Sequence, residues 1–504
     1  MNLRIGLLGK TAATEQIIRQ LGCDYIIVRK AEDIDFGKIN ALICSGKAAE
    51  YRKSIEKFIS FGGAVIFDSL AYSSFSQTRF SKAWKKHLFP ETELFEFVEV
   101  LDLFSKLVIF NDADLEELDS GLKIKAKDKI IVLPFSLDEV WNNNQIIRKK
   151  FNANCDELPS ERVNKSSKAA IRKLILITLE ILHDKQGLPL IQKWYFPNPK
   201  KTHFIFRIDT DFCTSDQAKD LYELCVKYQI PGSWFVDTQD FSKLQNVYAN
   251  FEGQEIGLHC WHHMVFDNES QNLENLKKGC DQLDKAKINY SGFVAPLGEW
   301  NENLQNAIKR CGFIYSSEFG YDYDNFPDFP MGNEDILQIP IHPISSGRLR
   351  RSHFTVERMV EYYLNVLQKK IVNSELTIFY HHPSHPHLKV FESIFEKIKM
   401  ENIPTSNMKD FAKWWLKRDK TVFTASLENN VIKIDSDNEI YFRIYRNKTE
   451  AIVKPNQIFQ KDFFPIKRVG EKMKTARKWC WRILLYNYET ARGKKNYKKR
   501  IRES

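Results

Sequence analysis

Apolar residues in the first seventy positions fall into short runs separated by stretches of helical spacing. Residues 3–8 (LRIGLL), 24–28 (DYIIV), 40–44 (NALIC) and 63–67 (GAVIF) have strand length, while 12–21 and 47–60 carry the helical period. Strands alternating with helices predict an α/β unit built on a parallel sheet, here spanning 1–135. A connector, 136–198, follows. Within it 163–184 reads as a helix, with Asn164 as candidate N-cap and Gly187 just past its end. From 199 to 419 strand-like and helix-like segments alternate again. Beyond 419 the texture shortens: partly alternating segments at 422–426, 431–435, 439–445 and 450–454, separated by polar turns, predict a small antiparallel sheet over 420–465. Residues 466–504 form a tail, and no internal repeat of 20–50 residues is visible.

The course of 1–135 resembles a flavodoxin-like or amidotransferase-like layer. Three candidate motifs there do not carry chemistry. Gly9-Lys10-Thr11 imitates the end of a phosphate-binding loop, but Arg4 stands where that loop's first glycine belongs. A dinucleotide G-x-G-x-x-G is absent. Cys44 has Leu42 two residues before it, where a nucleophile elbow needs glycine, so a buried structural thiol is the expected role.

Composition adds a class and a compartment. With 43% hydrophobic and 28% charged residues, the 504-residue chain can build several cores, and no apolar run is long enough to span a bilayer. The N-terminal MNLRIGLLGKTAATEQ lacks a signal peptide's apolar core, and nine cysteines without a C-x-x-C pair read as free thiols; a cytoplasmic location is expected. The net charge of +10 is local. Fourteen of the 75 Lys+Arg but only three of the 65 Asp+Glu fall in 467–504, leaving 61 and 62 elsewhere. The tail mixes those cations with Trp479, Trp481, Ile483, Leu484, Leu485 and Tyr488, a pattern suited to a helix packed on the body or docked on an anionic membrane surface. A near-neutral body gives no reason to expect a nucleic-acid partner.

The candidate chemistry is concentrated in the centre, where ten of the 12 histidines lie between His203 and His387. In HFIFRIDTDF, Phe204–Ile208 is an apolar strand, and Arg207, Asp209 and Asp211 share one face at two-residue spacing. Buried carboxylates need a cationic partner, either a divalent ion or Arg207. In EIGLHCWHHMVF, His259 and His263 are four apart and would face the same way on one helical turn. One carboxylate and two imidazoles fit an open-site catalytic zinc or a similar divalent ion. In GFVAPLGEWN, Pro296 and Gly298 make a turn that exposes backbone N–H groups, with Leu297 and Trp300 beside it. Finally LTIFYHHPSHPH ends a strand in His381 and His382, where a general acid can reach a site. His385 and His387 read as plain surface residues.

In this order and spacing the four features resemble the NodB-type polysaccharide deacetylases, carbohydrate esterase family four, over about 200 residues. The resemblance implies a distorted (β/α) barrel and removal of an acyl group from a sugar, with a divalent metal, most simply Zn²⁺, as cofactor. It implies Asp209 as general base, Asp211, His259 and His263 as metal ligands, and His382, with His381 second, as general acid. A backbone N–H near Leu297 would help hold the oxyanion. The departures matter too. Val294 stands where the family has an arginine steadying the base; Arg207, Arg310 or Arg348 would have to replace it. Leu297 stands where the family has an aromatic. The segment YSSEFGYDYDNFPDF, with Glu318, Asp322 and Asp324, is a candidate substrate loop, and His342 with Arg348, Arg350 and Arg351 is a candidate grip for an anionic substrate. The expected function is deacetylation of an N-acetylated sugar or glycan precursor in cell-surface polysaccharide synthesis. The alternatives are a glycan-binding pseudoenzyme, or an amidohydrolase of the same fold acting on a formyl group or a cyclic amide.

Overall fold

In the computed structural model the four apolar runs become short strands, Ile5–Leu8, Tyr25–Val28, Ala41–Cys44 and Ala64–Phe67. The structure describes residues 1–9, 12–46, 48–76, 80–88, 101–110, 115–118, 121–124, 126–150, 159–323, 326–330, 332, 336–455, 463–466 and 468. Lys10, Thr11, Asp324 and nearly all of the basic tail, with its expected helix and membrane-surface contact, lie outside those residues. No helix among the described residues is long and apolar enough to cross a membrane.

The N-terminal strands pair in parallel in the order Tyr25–Val28, Ile5–Leu8, Ala41–Cys44, Ala64–Phe67, Ile130–Val132, with Ala126–Lys127 antiparallel at the edge. Ile5–Leu8, Ala41–Cys44 and Ala64–Phe67 are apolar and buried throughout because both faces are covered, as parallel sheets require. One face packs on the helix Lys168–Gln186 through Ile171, Leu174, Ile175, Leu179 and Leu182. That helix starts later than its apolar period suggests. Ser167, not Asn164, is the N-cap, its Oγ accepting from the Ala170 N–H at 3.3 Å. Asn164 instead ends a strand, Ser160–Asn164, and donates to the Tyr321 carbonyl at 2.8 Å, a tertiary bond invisible to local pattern. Gly187 closes the helix in the left-handed region (φ 69°), as expected.

The central sheet has seven parallel strands: β1 (Phe204–Asp209), β2 (Ser233–Asp237), β3 (Glu255–Cys260), β4 (Gly292–Phe293), β5 (Tyr315–Ser316), β6 (Leu337–Gln338) and β7 (Thr377–His381). Their order is β6-β5-β4-β3-β2-β1-β7, a curled half-barrel. The sheet is open between β6 and β7, but the chain leaving β6 returns to β7 through the His342 N–H and the Ile378 carbonyl, 3.1 Å apart. Alternation sorts the side chains. Phe204, Phe206 and Ile208 point outward onto helices such as Leu388–Met400, where the rings of Phe391 and Phe395 lie 5.0 Å from that of Phe206. Each such ring contributes about 1.5–3 kcal/mol of burial. Ile205 and its inward neighbours Phe235, Val294, Tyr315, Ile378 and Tyr380 fill the concave side. Arg207 and Asp209 point the same way.

The predicted C-terminal strands form as two hairpins, Phe423–Glu428 with Val431–Ser436 and Phe442–Arg446 with Thr449–Val453. Both turns, Asn429-Asn430 and Asn447-Lys448, place two consecutive residues at positive φ, the geometry that matches strand twist. Leu190–Lys193, from before the barrel, pairs with Phe442–Arg446. The first helix, Ala12–Leu21, is joined to the barrel side by buried bonds, Gln16 Nε2 donating to the Phe329 carbonyl at 2.9 Å and Arg418 to that of Gln20 at 3.0 Å.

Candidate metal centre

The C-terminal ends of β1, β3 and β7 meet on one side of the sheet, where parallel α/β folds place ligands. β1 delivers Arg207 and Asp209. Arg207 is buried and forks onto Asp209, Nε to Oδ1 at 2.7 Å and Nη2 to Oδ2 at 2.5 Å. Its Nη1 donates to the Ser317 carbonyl at 2.7 Å, and the rings of Tyr380 and Phe235 lie 5.4 and 6.0 Å from the guanidinium carbon. Burial alone would disfavour the cation, but Asp209 more than offsets this and holds Arg207 above its ordinary value. Of the three arginines proposed to support the base, Arg207 is the one bonded to Asp209. Arg310 pairs with Glu269 and Arg348 with Glu161.

The strand ends at Asp209, and Asp211 lies in the turn beyond it. Around Asp211 three imidazoles converge. His259 Nε2 is 2.7 Å from Oδ1, His263 Nε2 is 2.9 Å from Oδ2, and His382 Nε2 is 3.6 Å from Oδ2. Burial would raise the Asp211 pKa, but His259 and His263 push it well below the usual carboxylate range. The two histidines do not share a helical turn, contrary to the spacing argument. His259 is on strand β3 and His263 lies past its end, in a bend. Asn275 holds that bend: its Oδ1 accepts from the His262 N–H at 2.7 Å and its Nδ2 donates to the His262 carbonyl at 3.0 Å. Chain reversal therefore does what helical period was expected to do.

The donor set fits a divalent ion. One ligand atom from each of Asp211, His259 and His263 lies within 4.8 Å of the others. Asp211 Oδ1 and His259 Nε2 are buried and close, yet neither makes a hydrogen bond. Two buried polar atoms left this way call for a partner between them. The other nitrogen of His259, Nδ1, is 2.8 Å from the Val294 carbonyl. A carbonyl only accepts, so Nδ1 carries a proton and Nε2 is the nitrogen that can offer a lone pair to an ion, the usual arrangement behind a ligand histidine. The backbone of Val294, where the resemblance expected an arginine, thus bonds His259.

Strand alternation separates the two candidate acids. His382 follows β7 on the side of Tyr380, with rings 5.5 Å apart, and so reaches Asp211. Burial lowers its pKa, partly offset by Asp211. His381 points the opposite way, fully buried, its ring 4.4 Å from Phe391 and Nδ1 3.0 Å from Ser346 Oγ. Expected as the second candidate acid, His381 is thus turned away from Asp211. His385, read as a surface residue, instead packs beside His382 with rings 4.8 Å apart, and burial takes its pKa to about 3.

The residues expected to contact substrate divide. Pro296 is buried; Leu297 is 40% exposed at φ 62°, and Gly298 follows at φ 63° with the Phe319 ring over it. Glu318 is not loop-facing. It is fully buried beneath this turn, accepting from the Ala295 N–H at 3.0 Å and from Gln338, and burial raises its pKa to about 7. It positions the turn. Trp300 is also inside, its Nε1 donating to Gln305 at 3.0 Å. His342 is in the core away from the cluster, bonded to the Tyr362 hydroxyl at 2.9 Å, its ring 5.8 Å from that of Phe379. Phe212, next to Asp211, drew no attention in the sequence; the signal available there was a bulky apolar residue directly after the ligand carboxylate.

No protein-family model matches the sequence, and no curated protein matches it. Solved structures do. A candidate polysaccharide deacetylase from Mycobacterium smegmatis matches at 16% identity and TM-score 0.39, covering 45% of this chain and 94% of its own. A CE4 family pseudoenzyme from Bacillus anthracis matches at 12% and 0.32, covering 43% and 66%. A family 4 acetyl xylan esterase from Clostridium thermocellum, in complex with a cobalt ion, matches at 15% and 0.31, covering 42% and 90%. By its own geometry this chain belongs to the broad class of parallel α/β proteins with an Asp-His-His cluster at the carboxyl edge of the sheet.

Proposed function

We propose that the chain is a metal-dependent hydrolase that removes an N-acetyl group from a sugar or glycan precursor in cell-surface polysaccharide synthesis. The observation that carries this reading is the adjacency of two differently treated carboxylates on one strand end. Asp209 is paired to Arg207, while Asp211 faces His259, His263 and His382. Asp211, His259 and His263 would hold the ion, Zn²⁺ being the simplest fit to one oxygen and two nitrogens. When bound there it supplies Lewis acidity toward an acyl carbonyl and the attacking water. Asp209, fixed by Arg207, accepts the proton of that water. His382, whose Nε2 lies 3.6 Å from Asp211 Oδ2, returns a proton to the leaving nitrogen. The Leu297 backbone N–H of the Pro296–Gly298 turn, held from beneath by Glu318, steadies the developing oxyanion. The N-terminal sheet, whose order matches the doubly wound flavodoxin-like one, is read as an accessory layer joined to the rest by buried bonds.

The test joins metal analysis of the purified full chain to acetate release from a panel of N-acetylated mono- and oligosaccharides. About one divalent ion per chain with acetate release lost in Asp209→Asn supports the reading. A retained ion with no acetate or formate release from any substrate sinks it in favour of a binding module.

A further inference from the structure

Phe212 is the residue directly after the ligand carboxylate Asp211, and it is 65% exposed. Its backbone sits at φ 52°, in the left-handed region that a bulky side chain adopts only when its surroundings impose it. Those surroundings are visible. The Thr210 N–H donates to the Phe235 carbonyl at 3.1 Å and the Cys213 N–H to the Thr210 carbonyl at 3.3 Å. Lys243 Nζ donates to the Cys213 carbonyl at 2.7 Å, and Cys213 Sγ lies 3.3 Å from the Tyr248 hydroxyl. The turn is clamped at both ends, and the ring it displays lies 5.7 Å from the His263 ring. A large apolar side chain is thus held in a disfavoured conformation, facing solvent, at the edge of the cluster. Neither local propensity nor core packing accounts for it.

We propose that the Phe212 ring is the platform on which the sugar ring of the substrate stacks. The proposal rests on the hydrolase reading for the placement of the acyl group. Side chains of Asp211, His263 and His382 are only 15%, 11% and 18% exposed, so the reacting carbonyl enters a recess. What stays outside is the part bearing the leaving nitrogen, the sugar. A pyranose presents a patch of C–H bonds on one face and hydroxyls around its rim; a solvent-facing aromatic ring matches that face and leaves the hydroxyls wet. The rigid turn fixes the ring's distance from the ligands, so stacking also sets which acylated position reaches the recess.

The experiment is calorimetric titration of the metal-loaded full chain with tri-N-acetylchitotriose, for the natural sequence and for Phe212→Ala, Phe212→Gly and Phe212→Tyr. Removing the ring is expected to weaken binding by about three- to tenfold, and tyrosine to restore it within about twofold. Phe212→Gly is expected to melt at least as high as the natural chain, because glycine relieves the left-handed backbone, which separates lost binding from lost folding. Unchanged affinity in Phe212→Ala and Phe212→Gly overturns the proposal, as does failure of the natural chain to bind the trisaccharide. Trisaccharide that binds through Phe212 but is never deacetylated leaves the platform standing and sinks the hydrolase reading instead.

Discussion

The guanidinium of Arg207 closes on the carboxylate of Asp209 from the same strand, two residues away, with both nitrogens in contact at 2.7 and 2.5 Å. In this chain the partner of the inner carboxylate is supplied by its own strand. Removing it leaves a buried acid with nothing cationic bonded to it. Arg207→Ala is therefore expected to cost about 3–5 kcal/mol of stability and to lower kcat by an order of magnitude or more with the bound ion retained. Thermal denaturation, metal content and steady-state kinetics on one preparation check this; full activity in a stable Arg207→Ala chain would remove Arg207 from the mechanism.

The Asn275 amide holds both the N–H and the carbonyl of His262, beside His263, a proposed ligand. Asn275→Ala frees that bend. Outer supports of this kind are typically worth about 10–100-fold in metal affinity, and a loss in that range is expected in competition with a chelator. Affinity equal to that of the natural chain would mean that His263 is placed without the clamp.

One buried carboxylate outside the Asp-His-His cluster links stability to pH. Burial would raise the Glu450 pKa, but Arg443 at 2.8 Å and Lys201 at 3.0 Å more than reverse this, bringing it to about 2. A carboxylate whose folded pKa is depressed contributes stability above its unfolded pKa near 4.5 and loses it as pH falls toward 2. Glu450→Gln is expected to lower stability at neutral pH by about 2 kcal/mol, since the charge-assisted bond to buried Arg443 is lost while Arg443 keeps its pair with Glu180. It should also flatten the stability profile below pH 4.5. An unaltered acid limb in denaturant titrations would assign that limb elsewhere.

The helix Lys168–Gln186 offers a direct comparison of two cap candidates. Ser167→Ala removes the observed N-cap and is expected to cost about 1 kcal/mol. Asn164→Ala is expected to cost a similar amount for another reason, the loss of its buried bond to the Tyr321 carbonyl. A double-mutant cycle with a substitution that perturbs the Tyr321 segment should show coupling for Asn164 and little for Ser167. Coupling of the reverse pattern would restore Asn164 as the cap.

Local pattern and tertiary structure divided the work along physical lines. Strand periodicity needs only neighbouring residues, so the apolar runs at 3–8, 24–28, 40–44 and 63–67, the shared face of Arg207 and Asp209, and the late hairpins were legible from the sequence alone. The Asp-His-His cluster was legible as a set of residue types at a spacing, though not as geometry. His259 and His263 converge through a strand end and a bend, not a helical turn, because parallel pairing with β2 makes 255–260 a strand. Which of His381 and His382 faces Asp211 depended on which face of β7 looks into the concave side, and strand pairing turns His382 that way. Burial withdrew Glu318, Trp300 and His342 from solvent, since exposure is a property of what packs above a residue and not of its neighbours in sequence. By itself the sequence determined which side chains are available for chemistry and where strands and helices run. Only the fold decided which of those side chains share a site, because convergence across 170 residues between Asp211 and His382 is a long-range event that no local period encodes.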